Sequence, residues 1–143
     1  MKQITEAIHK FQQECPVIEN LVEGYGYTYT DLKGLFDVIK PLLAKYELTP
    51  IFTMGGHTVN LTLCHSSGEV VNSHIDLPMG VTLVKMNTFQ VMGAGITYLK
   101  RYLLVSALGI VTTDQCADAA LPDKTKPATP QDTMLEAHTL VKR

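Results

Sequence analysis

Apolar residues in the first dozen positions recur at helical spacing: Ile4, Ile8 and Phe11 lie four and three apart with polar residues between them. That spacing lays one apolar stripe along a short helix. Cys15-Pro16 marks its end, because a residue before proline disfavours the helical region. The period then changes to two: Tyr25, Tyr27 and Tyr29 alternate with Gly26, Thr28 and Thr30, which predicts a strand carrying three rings on one face. From Asp31, a suitable N-cap, helical spacing returns in Leu32, Leu35, Phe36, Ile39, Leu42, Leu43 and Tyr46, with Lys33, Asp37 and Lys40 on the outer face. Pro41 falls inside this pattern and predicts a bend, since it supplies no backbone donor and crowds the preceding turn.

The next stretch predicts an antiparallel meander. Pro50 to Met54 leads to a Gly55-Gly56 turn, His57 to His65 to a Ser66-Ser67-Gly68 turn, and Glu69 to Leu77 closes it. Pro78, Met79 and Gly80 end the third strand, and an irregular loop carrying Lys85 runs to about Thr88. Phe89 to Gly109 is the longest predicted helix and is apolar on nearly every side, with Val91, Met92, Ile96, Leu99, Leu103, Leu104, Val105 and Leu108. Such a helix needs cover on several faces, from the sheet and from a neighbouring subunit. Thr97, Lys100 and Arg101 sit three and four apart, which predicts one shared exposed stripe. The expected architecture is α+β, a mostly antiparallel sheet with helices packed on one face.

At 143 residues the chain has room for one core domain. The reading is a helical segment over 1–20, a core over 21–119, and a polar linker and tail over 120–143 with a short helix near Met134 to Leu140. The linker character begins at Thr112. A net charge of −2 gives no overall case for nucleic acid, yet no carboxylate side chain occurs from Leu77 to Thr113, where Lys85, Lys100 and Arg101 lie. An anion is expected there, if anywhere. Three widely separated cysteines do not make a disulfide framework and suit a reducing compartment. With no secretory signal pattern, and no apolar run near the roughly 20 residues of a membrane span, a cytoplasmic protein is expected.

Candidate chemistry is sparse. Gly93 and Gly95 match neither the dinucleotide nor the P-loop fingerprint, so close packing is the favoured reading over an anion site, and no nucleotide cofactor is expected. His57, His65, His74 and Cys64 share adjacent predicted strands without zinc-type spacing, so no metal is expected. No Ser-His-Asp or Cys-His arrangement is visible, which argues against an enzyme. The tyrosine stripe suits either packing under a helix or stacking of unpaired bases.

The run Gly95-Ile96-Thr97-Tyr98-Leu99-Lys100-Arg101-Tyr102-Leu103-Leu104, followed by Ser106-Ala107-Leu108-Gly109-Ile110, resembles the signature helix of the ERF (essential recombination function) family of phage single-strand annealing proteins. Tyr27-Thr28-Tyr29-Thr30-Asp31-Leu32, Pro41-Leu42-Leu43-Ala44-Lys45 and His65-Ser66-Ser67-Gly68-Glu69 fall in that family's order and approximate spacing. The resemblance spans about Tyr25 to Ala119. It departs after the helix, where family members often place an acidic cluster and this chain has Thr112 to Asp118, thin in acids. The resemblance implies single-stranded DNA as a partner, ATP-independent pairing of complementary strands, and assembly into a homo-oligomeric ring or filament. It directs attention to Thr97, Tyr98, Lys100 and Arg101 for DNA, with Lys85 as a further candidate. The tail is a candidate contact for a single-strand-binding protein. The rival reading is a protein-interaction or assembly module in which Lys100 and Arg101 pair with acids next door.

Overall fold

The computed structural model describes residues 1–19, 22–23, 28–80 and 85–113. Their elements run α1 (Lys2–Glu14), β1 (Val22–Glu23), β2 (Thr28–Tyr29), α2 (Leu32–Lys45), β3 (Leu48–Gly55), β4 (Thr58–His65), β5 (Val70–Asp76) and α3 (Thr88–Leu108). This is the expected α+β order with one addition: β1 pairs antiparallel with β2 in a small ladder of its own. Tyr25 and Tyr27 lie outside the described residues, as do the tail over 120–143 and the helix expected near Met134 to Leu140.

The main sheet has three strands in the order β3-β4-β5, each neighbour antiparallel. Gly55 pairs with Thr58, so the first turn is Gly56-His57, one residue later than the glycine pair suggests. Gly56 takes a φ of 62°, and a two-residue hairpin turn with glycine first needs no second glycine. The shift sets Met54 opposite Val59 and Phe52 opposite Leu61, instead of Met54 opposite His57. Pro50 is tolerated because β3 is an edge strand. The second turn is as expected, with Gly68 at a φ of 91° and the His65 amide donating to the Glu69 carbonyl at 2.9 Å.

Alternation divides the sheet into two faces. Val59, Leu61 and Leu63 of β4 point inward and are almost fully buried. There they meet Ile4 and Phe11 of α1, Leu35 and Ile39 of α2, and Leu99, Leu104 and Leu108 of α3 in one core. All three helices contact the sheet: α1 on β4, α2 on β3, and α3 on β4 and β5. The opposite face carries polar pairs, among them Thr58 with Asp76 at 2.7 Å and Thr62 with Asn72 at 2.9 Å. Past α3, the Ile18 amide donates to the Val111 carbonyl at 2.9 Å, and the Thr113 amide to the Ile18 carbonyl at 3.1 Å. Thr112 is buried, so the stretch expected to open the linker is part of the core as far as Thr113.

Helix ends follow local chemistry. The Asp31 carboxylate accepts from the Gly34 amide at 2.7 Å and starts α2, which continues through Pro41 to Lys45. Asn87 and Gln90 cap α3 reciprocally, each side chain accepting the other's amide at 2.8 to 2.9 Å. By contrast, α1 has no side-chain cap from its own N-cap residue, Met1. Its carboxylate comes from far along the chain: Glu69, at the turn before β5, accepts from the Ile4 amide at 2.7 Å. This bond, helped by the nearby terminal ammonium, holds the Glu69 carboxyl below its ordinary pKa.

Because the folded value is the lower one, the stability Glu69 contributes is complete above the unfolded carboxylate range and is lost as pH falls through the folded value. Glu69→Gln therefore lowers the melting temperature at neutral pH, and the gap from the unsubstituted protein closes as pH drops below about 4. Thermal melts at a series of pH values check this; a gap independent of pH contradicts it.

Candidate nucleic-acid interface

The basic residues of the acid-free stretch do not share one surface. On α3, Thr97 is exposed and Lys100 half-buried, while Arg101 is only 5% exposed. The expected stripe of Thr97, Lys100 and Arg101 is thus corrected: Thr97 and Lys100 face outward and Arg101 turns in. Helical spacing permits either outcome, since Arg101 lies four residues from Thr97 but also three from Tyr98 and from Leu104, both buried. One partner on the inner side is a backbone carbonyl. Arg101 Nη1 donates to Thr30 O at 3.0 Å, tying α3 to the residue just before the α2 cap.

Two aromatic rings also stand beside it. The Arg101 guanidinium carbon lies 5.4 Å from the Tyr98 ring centroid and 5.2 Å from that of Tyr102. A weakly hydrated planar cation is suited to such a place, between aromatic rings and a carbonyl acceptor. The Thr30 carbonyl dipole and the two π-faces are thus among the cation's counterparts. Tyr98 is buried with it and is part of this internal support.

Lys100 presents differently. Its Nζ stands 5.5 Å from the Phe52 ring centroid on β3, so the stem lies along apolar surface while the ammonium reaches the edge. Among the described residues the ion pairs within side chains are Lys33 with Asp37 and Lys45 with Glu14; neither Lys100 nor Lys85 has a carboxylate partner there. Lys85 is exposed, with a φ of 62° in the connection before α3. The Thr97 hydroxyl donates to the Gly93 carbonyl at 3.1 Å, which leaves its lone pairs outward. Of the five residues singled out by sequence, Thr97, Lys100 and Lys85 are therefore accessible, and Tyr98 and Arg101 are internal.

Sequence reasoning missed Phe52 as the support under Lys100, because the two belong to distant segments. It also missed an apolar groove of about 190 Å³ at the start of α3, lined by His57, Leu77, Met79, Val91 and Met92 among others. The strand histidines do not converge. His65 Nδ1 bonds Ser67 within its own turn, at 2.8 Å to Oγ and 3.1 Å to the amide. No group of three or more His, Cys, Asp or Glu side chains among the described residues is placed to hold a metal ion. No described helix is long and apolar enough to cross a membrane.

A family model described as the ERF superfamily matches residues 4–139. The chain belongs to the ERF superfamily. Membership supports a role in phage single-strand annealing and recombination. No curated protein and no solved structure matches the chain. The motifs that carry the ERF resemblance now have physical duties: His65 to Glu69 forms the turn that caps α1, and the signature helix carries both the internal Arg101 and the outward Lys100.

Arg101 and Lys100 should separate in stability measurements. Arg101→Ala strands the buried Thr30 carbonyl and costs about 1–3 kcal/mol from that group alone, whereas Lys100→Ala costs less than about 1 kcal/mol. Urea unfolding of the two variants checks the difference, and equal midpoints contradict it.

Proposed function

We propose that this ERF-superfamily protein binds single-stranded DNA and pairs complementary strands as a homo-oligomer, with no nucleotide or metal cofactor. Lys100, supported on Phe52 and without a carboxylate partner among the described residues, is the observation that carries the reading. Its ammonium meets phosphate, Lys85 adds a second cation, and Thr97 adds a hydroxyl one turn away. Arg101 and Tyr98 are positioning residues: they hold α3 to the start of α2, so that Lys100 keeps its place.

A net charge of −2 is compatible with this because contacts are repeated. One subunit offers two or three contacts, and a strand crossing several neighbours gains affinity through effective concentration. Phosphate contacts leave base edges open, and base pairing itself supplies the free energy of annealing. No covalent step is needed, so the protein acts as a binding template and not as an enzyme. The tail over 120–143 remains the candidate contact for a single-strand-binding protein.

Two complementary labelled oligonucleotides should anneal faster with the protein than without it, in the absence of ATP and added metal. Lys100→Ala should weaken strand binding and flatten the slope of log affinity against log salt by about 0.7 for each phosphate contact removed. If a Lys85→Ala, Lys100→Ala double variant keeps the original slope and annealing rate, the phosphate assignment is wrong. If wild-type protein ignores single strands at low salt but still assembles, the assembly-module reading takes its place.

A further inference from the structure

The groove at the start of α3 continues onto an exposed apolar surface. Phe89 is 83% exposed and Met79 71%, with Met92 and Met86 also open. Phe89, Met92 and Gly93 lie three and four apart on the helix, so they form one outward face. Gly93 is the informative member. Among the described residues a Cβ built on it meets nothing within 4 Å, so no packing among them requires glycine at this exposed helical position. Glycine there weakens the helix relative to alanine, and what it provides is a flat surface that another backbone can approach.

A second apolar patch lies at the opposite end of the same helix. Val17 and Val111 are about half exposed, side by side where the Ile18 amide bonds the Val111 carbonyl. A helix of 21 residues separates the two patches by roughly 30 Å. Their rims differ in charge. Exposed Lys85 borders the Phe89 end, and exposed Glu19 borders the Val17 end. Neither has an ion-pair partner among the described residues.

We propose that the Phe89–Met92–Gly93 face receives the Val17–Val111 end of a second copy of this chain, with Lys85 facing Glu19. The inference rests on the homo-oligomer proposed above and specifies its contact. Two different patches make the contact heterologous, so a joined pair keeps one free face of each kind and the assembly grows into a ring or filament. Methionines suit the receiving face because they adapt to the side chains that enter. Thr97 and Lys100 follow Gly93 by four and seven residues on the same side of α3, which sets the phosphate contacts beside the junction between subunits.

Mass photometry of Phe89→Glu, Val111→Glu, Gly93→Gln and their mixtures tests this, with circular dichroism confirming the fold. Each single variant should be monomeric where the unsubstituted protein assembles. Mixing Phe89→Glu with Val111→Glu should give dimers and nothing larger, because one intact face of each kind remains. Gly93→Gln should melt at or above the unsubstituted protein while failing to assemble, which separates interface loss from misfolding. Variants that assemble normally, or a mixture that stays monomeric, overturn the proposal. An unsubstituted protein that is itself monomeric overturns the homo-oligomer reading as well.

Discussion

One apolar sheet face has to be covered, and α3 does most of the covering. Val59, Leu61 and Leu63 face inward from the central strand, and α3 lies on β4 and β5 with Leu99, Leu104 and Leu108 in the same core. Among the described residues, no second sheet lies in the core to share this task with the three-stranded one. The helix is therefore fixed in rotation by the sheet, by α1 and α2, and by the bond from Arg101 to the Thr30 carbonyl. What is left outward on α3 follows from that rotation: Phe89, Met92 and Gly93 near its start, then Thr97 and Lys100.

On the proposed reading, that arrangement lets a chain with a net charge of −2 meet a polyanion. Charge is divided by environment, with one cation used internally between tyrosine rings and its neighbour in sequence held outward on a phenylalanine. The external cation gains reach from its apolar support. In the proposed homo-oligomer, repetition of the site then does what local charge does not.

Periodicity made most of the architecture legible. The Asp31 cap, the Gly68 turn and the long apolar helix each had a local cause, and these elements formed where that cause lay; of the strand expected from the tyrosine alternation, the described part is Thr28–Tyr29. What escaped was non-local. Arg101 turns towards a carbonyl 71 residues away, and α1 is capped by a glutamate 65 residues away, neither of which spacing can reveal. The hairpin turn moved by one residue because cross-strand partners, not the glycine pair alone, set register. At the candidate site, the acid-free stretch drew attention to α3, but only packing separates an outward lysine from an inward arginine.

The central claim is that Lys100 meets phosphate while the neighbouring arginine stays inside. Lysine acetylation followed by mass spectrometry, with and without saturating single-stranded oligonucleotide, reads it most directly. The account predicts strong protection of Lys100 and Lys85 by the strand, with Lys2 and Lys40 acetylated equally in both states. Unchanged acetylation of Lys100 in a complex shown to be formed would contradict it.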